Sequence, residues 1–119
     1  MTRTVRAALL QTEWTGDKES MIDRHEEAAR EAAAQGAQVM CFQELFYGPY
    51  FCQVQDPVYY DYTEEIPDGP TTKRFQSVAK ELGTVLVLPM YERVREHRQH
   101  RNGRHERKKR ARACSRSGA

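Results

Sequence analysis

Three short apolar runs limit what this chain can fold into. Val5–Gln11, Val39–Phe42 and Thr84–Met90 are rich in Val, Leu and Phe and too short to be helices, so each reads as a buried strand. Between the first two, Asp17 is a good N-cap, and a helix is predicted from Lys18 to Gln35. Its apolar residues Met21, Ile22, Ala28, Ala29, Ala32 and Ala33 recur at helical spacing, with the acidic side chains largely elsewhere. Alanine on that face allows close approach to a sheet. Gly36 is placed to stop the helix with a positive φ.

A second helix is predicted before the third run, capped by Thr71 or Thr72 and reaching about Leu82, with Phe75, Val78, Ala79 and Leu82 on one face and Gly83 ending it. The order β-α-β-loop-α-β predicts an α/β fold with parallel pairing and right-handed crossovers. Three strands and two helices are only half an architecture. A parallel apolar sheet normally has both faces covered and more strands than three. One sheet edge and one apolar face are therefore expected to stay open.

Charge divides the chain sharply at Glu92. Residues 1–92 hold eight Lys and Arg against fifteen Asp and Glu, whereas residues 93–119 hold eleven against two. The second part has no Leu, Ile, Met, Phe, Tyr or Trp, cannot bury enough apolar surface to fold alone, and is expected to be disordered. Two domains follow: a folded part over 1–92 and a basic tail over 93–119. Arginine recurs every third residue from 95 to 110, a period that suits neither helix nor strand. A frameshifted or otherwise altered C-terminus is the expectation that accounts for the abrupt change.

No run of about 18 apolar residues could span a membrane, and no charged start with an apolar centre marks a signal peptide. Cys41, Cys52 and Cys114 are odd in number and lack Cys-x-x-Cys spacing, so no metal is signalled and a reduced, cytoplasmic setting is expected.

Chemistry is expected where Val39-Met40-Cys41-Phe42-Gln43-Glu44 meets Leu45-Phe46-Tyr47-Gly48-Pro49-Tyr50-Phe51. The run delivers a carboxylate to the carboxyl end of a strand, the end at which open α/β sheets bind ligands. Ringed by apolar groups, Glu44 would be partly desolvated, which lifts a carboxyl towards general-base use. Residues 45–70 then form a long connection with no clear period, rich in Tyr and Phe, and loops of that length are more often functional than not. Cys41 lies an odd number of residues from Glu44, so an extended strand sends the two to opposite faces; it reads as a small buried hydrophobe. Cys52 has no His or Lys beside it in sequence to activate it. His25, among carboxylates on the first helix, reads as a surface residue, and Lys73 and Lys80 as solvent-facing.

The same residues resemble the nitrilase or carbon–nitrogen hydrolase superfamily, in its N-carbamoylputrescine amidase and β-ureidopropionase branch. The resemblance is carried by Val5–Gln11, Ala34–Val39, Cys41–Gln53, Pro67–Thr72 and Val85–Glu92, and covers residues 4–92. It implies that this chain is the N-terminal β-α-β-α-β portion of an α-β-β-α sandwich. It implies a Glu-Lys-Cys catalytic set, with Glu44 as the general base to a cysteine that attacks an amide or carbamoyl carbon. The family's lysine and cysteine lie C-terminal to the matched region, so this chain is expected to be inactive alone. No cofactor is implied. The implied partners are a small N-carbamoyl or amide substrate and, in the intact family, further copies of the enzyme; no membrane is expected. Tyr47 and Tyr50 have two roles open to them, lining a substrate pocket or plugging the core, and pocket lining is the reading adopted.

The alternative is a non-catalytic interaction module whose tail binds a polyanion, since its arginines and lysines would give a salt-dependent attraction to phosphates. With no aromatic residue for base stacking and no nucleic-acid motif, nucleic acid is disfavoured as a partner.

Overall fold

The computed structural model of the chain describes residues 2–52 and 54–94 and the backbone of 111–117. Its elements are β1 (Ala7–Leu10), α1 (Lys18–Ala34), β2 (Val39–Phe42), a six-residue 3-10 helix (Pro57–Tyr62), α2 (Pro70–Leu82), β3 (Val85–Arg93) and β4 (Ala111–Ser117). The sheet order is β1-β2-β3-β4. β1 pairs parallel with β2, and β2 parallel with β3, as the alternation of strands and helices requires.

The helix boundaries follow from their caps. Asp17 accepts a hydrogen bond from the Ser20 amide at 2.9 Å, and Gly36 leaves α1 with φ 89°. α2 begins differently from the expectation. Pro70 occupies its first turn behind Gly69, and neither Thr71 nor Thr72 serves as the cap. Instead the Glu64 carboxylate reaches in and accepts from the Thr71 amide at 2.8 Å. At the other end, Gly83 at φ 63° closes the helix.

Both helices cover one face of the sheet. Met40, Phe42, Leu86, Leu88 and Met90 point at them and pack with Met21, Ile22, Ala29, Phe75, Val78 and Ala79. Two crossovers that step the same way with the same hand must lie on the same side, so the sequence order itself stacks both helices there. Across the helix pair, Arg74 bonds Asp23 at 2.7 Å and Glu26 at 3.1 Å.

The other face carries Ala7, Val39 and Val85 in one row and Leu9, Cys41 and Val87 in the next. No helix covers it among the described residues: Leu9 is 87% exposed and Val85 45%. The expected open face is present.

The tail departs from its expectation in one stretch. Ala111–Ser117 pairs antiparallel with β3 as β4, where no ordered structure was expected. The reason is physical: an edge strand offers unpaired backbone groups, and pairing with them needs no apolar side chain. Residues 95–110, which carry the whole arginine repeat, lie outside the described residues.

Candidate active site

β2 delivers Glu44 to its carboxyl end, and the chain then turns sharply. Leu45 takes a left-handed φ of 53°, and the Gly48 amide donates to the Leu45 carbonyl at 3.0 Å. The turn drives Leu45, Phe46 and Tyr47 into the core and leaves Glu44 exposed. The expectation that apolar groups ring Glu44 is therefore corrected. Those apolar neighbours are buried beneath it and do not surround it.

What does gather near Glu44 is a set of phenols and one thiol. The Cys52 Sγ lies 3.5 Å from the Tyr91 hydroxyl. The Tyr91 phenol is raised above its ordinary range, first by burial, then by its contact with Cys52, with the charges of Cys52 and Glu44 adding to it. Tyr50 is raised in the same direction, by Cys52 first and then by Glu44. Phe51 stacks between Tyr59 and Tyr91, with ring centroids 4.9 and 4.4 Å away, which anchors the loop across the end of β3. The carboxyl ends of β2 and β3 thus meet at one place, with Glu44 and Tyr50 facing solvent.

Tyr47 is placed apart from this group. It is 2% exposed, with the Lys18 ammonium 4.6 Å from its ring centroid. Burial, and then the Glu64 charge, pushes its phenol well above the usual tyrosine range, while the Tyr91 backbone offsets a little of the rise. Its hydroxyl makes no hydrogen bond of good geometry. The structure thus gives Tyr47 the core position and Tyr50 the exposed one.

Sequence reading missed the polar node beneath the turn. Glu64, 6% exposed, takes an ion pair from Lys18 at 2.6 Å and both the amide and the hydroxyl of Thr71. Its backbone is held as well, the Glu64 amide donating to Tyr91 and its carbonyl accepting from Arg93. Glu64 sits in a tyrosine-rich connection without periodicity. Its one sequence signal was a carboxylate placed ahead of a Gly-Pro helix start.

His25 is also corrected. It is 1% exposed, with its ring 5.0 Å from both Phe42 and Phe46. Its position falls on the buried stripe with Met21, Ile22 and Ala29, and that phase outweighs the charged neighbours in sequence. The Nδ1 atom donates to the Met21 carbonyl at 2.8 Å, and Nε2 has no partner among the described residues. Cys41 is half-buried on the uncovered face, away from the helices. Lys73 and Lys80 are exposed on α2, as expected.

Two grooves, of about 340 and 450 Å³, run along the free edge of β1 and the flank of α1, and neither includes Glu44. Among the described residues no group of three or more His, Cys, Asp or Glu side chains could hold a metal ion, and no helix is long and apolar enough to cross a membrane.

The family model described as carbon-nitrogen hydrolase matches residues 6–106, past the composition boundary at Glu92. The N-carbamoylputrescine amidase of Solanum lycopersicum is 38% identical over 90 residues, which is 76% of this chain and 30% of that enzyme. The omega-amidase of Mus musculus is 36% identical over 85 residues, 71% of this chain and 29% of its own. A crystal structure of a carbon-nitrogen hydrolase from Helicobacter pylori superposes with a TM-score of 0.66 at 23% identity, covering 74% of this chain and 30% of that one. An amidase from Nesterenkonia sp. gives 0.52 at 27% identity, covering 73% of this chain and 32% of its own. The chain therefore spans under a third of the length of the curated relatives it matches.

Proposed function

Because this chain belongs to the carbon–nitrogen hydrolase family, we propose that Glu44 is the general base of a site that hydrolyses an N-carbamoyl amine or N-carbamoyl-β-amino acid. The observation that carries this is position: Glu44 is the exposed carboxylate at the carboxyl end of β2, beside Tyr50 and in electrostatic reach of Tyr91. The similarity to enzymes named N-carbamoylputrescine amidase favours a carbamoylated amine as substrate.

In this reading Glu44 takes the proton of a cysteine thiol as the sulfur attacks the carbamoyl carbon. A lysine ammonium stabilises the tetrahedral oxyanion, and Glu44 passes its proton to the departing nitrogen as the C–N bond breaks. Glu44 then activates the water that releases the acyl group. The products are ammonia, carbon dioxide and the free amine. Both the lysine and the cysteine belong to family segments beyond the region matched here, so the 119-residue chain alone is inactive. Tyr50 lines the site, and Tyr47 supports the turn from beneath. Segments closing over the exposed Glu44 would supply the desolvation this chain lacks.

The test is a chimera in which residues 4–92 replace the matching segment of the tomato enzyme. It is expected to release ammonia from N-carbamoylputrescine, and Glu44→Gln is expected to lower kcat/KM by about 10²–10⁴-fold. A chimera as active with Glu44→Gln as without it would overturn the assignment, as would ammonia release by the unmodified 119-residue chain for the claim of inactivity.

A further inference from the structure

The connection from β1 to α1 grips the Glu44 turn from both sides. Before Glu44, the Thr12 amide donates to the Gln43 side-chain carbonyl at 2.7 Å. After it, the Lys18 ammonium lies over the Tyr47 ring. A lysine at the start of a helix is ordinarily free to sweep through many rotamers, and holding one over a ring costs side-chain entropy. Here Glu64 holds it, 2.6 Å from Nζ, with Lys18 only 26% exposed.

Glu64 in turn cannot move independently. Its carboxylate caps α2 through Thr71, and its backbone is tied to Tyr91 and Arg93 of β3. One residue therefore joins α1 and α2 through its carboxylate, β3 through its backbone, and the turn after β2 through Lys18. We propose that Lys18 and Glu64 are a positioning pair, whose ion pair presses on Tyr47 and fixes the turn that presents Glu44. That the presented group is a catalytic base rests on the preceding reading; the clamp itself does not.

Three features make the ion pair, and not helix capping, the part that acts on the turn. The Thr71 amide bonds Glu64 Oε1, whereas Lys18 shares Oε2 with the Thr71 hydroxyl, so a glutamine that keeps its oxygen at the Oε1 position preserves the backbone cap. Among the described residues the Tyr47 hydroxyl makes no hydrogen bond of good geometry, and Lys18 is the cation over its ring. Among the described residues one backbone bond closes the turn, from the Gly48 amide to the Leu45 carbonyl, which makes its integrity readable at one amide.

Hydrogen exchange of the Gly48 amide, followed by NMR on the full 119-residue chain, tests the clamp. Glu64→Gln keeps an acceptor for the Thr71 amide and removes the charge, and Lys18→Met keeps the stem and removes the ammonium. Each is expected to speed exchange at Gly48 by about tenfold or more while the α1 amides from Ile22 to Ala29 keep their rates, as for a local opening. The double variant is expected to be no faster than the faster single one, since both remove the same interaction. Lys18→Arg, which retains the cation, is expected to stay near the parent rate. Unchanged exchange at Gly48, an equal rise throughout α1, or fully additive single effects would each overturn the proposal. No substrate enters this measurement, so its result is independent of hydrolysis by the chimera.

Discussion

At the scale of single residues, the sequence was most readable where a side chain's role depends on its own strand or helix. Met40 and Phe42 face the helices and Cys41 faces away because strand side chains alternate, and nothing distant can alter that. The place of Glu44 at the carboxyl end of β2 was legible for the same reason, since it follows directly from that strand. Its exposure was not legible, because it depends on the left-handed turn at Leu45, a conformation rare outside glycine. His25 shows the reverse error, in which charged neighbours in sequence outweighed helical phase. Its burial has a consequence that can be measured. Desolvation holds the imidazole below its ordinary value of 6.5, the Met21 carbonyl opposing only in part. The unfolded chain therefore binds this proton more readily than the folded one, and stability must fall as pH drops from 6.5 towards the lower folded value. Thermal melts by circular dichroism are expected to show a lower Tm at pH 5.5 than at pH 7.5. His25→Leu, which removes the titrating group, should narrow that gap; an equal gap in both proteins would show that other groups set it.

At the scale of elements, both helices and the three parallel strands were readable from apolar spacing and from glycines placed to end them. Each of those signals is local. The start of α2 was not, because its cap comes from Glu64, outside the helix, across the turn at 65–69. That arrangement requires a residue without a side chain at position 69. A Cβ there would stand 2.5 Å from the Glu65 carbonyl oxygen and 3.0 Å from Glu64 Oε1. The first neighbour is backbone and cannot swing aside, so the turn must open and the capping carboxylate must shift with it. Gly69→Ala is accordingly expected to cost about 1–3 kcal/mol of stability, as overpacking does. Urea unfolding followed by fluorescence of Trp14 would measure it, and a change below about 0.5 kcal/mol, the level of ordinary surface substitutions, would contradict the close approach. β4 was illegible in the sequence for a related reason. Its pairing is made by backbone groups along the edge of β3, and composition is silent about those.

At the scale of the whole molecule, the order of elements has one consequence that no single element reveals. Successive crossovers to neighbouring strands stack α1 and α2 on the same side, and no helix among the described residues covers the second apolar face of the sheet. Parallel strands are ordinarily covered on both faces, and their side chains here are apolar on both. Leu9, Val39, Cys41, Val85 and Val87 form that uncovered surface at the middle of the sheet. Leu9 at 87% exposure and Val85 at 45% are its most accessible large side chains. Contiguous apolar surface of this kind drives association when nothing else covers it. The free edge of β1 adds unpaired backbone groups beside it. The chain is therefore expected to self-associate, with an apparent mass by sedimentation that rises with protein concentration. Leu9→Lys places a charge at the β1 end of the exposed row, on its most accessible side chain, while facing away from the helix-side core, so it should shift the distribution towards monomer and leave the helical circular dichroism unchanged. An equally charged change on the outer face of α2, Gln76→Lys, controls for net charge and should leave association as it was. If both variants sediment like the parent, the open face is not what holds the copies together, and the free edge of β1 becomes the surface to alter.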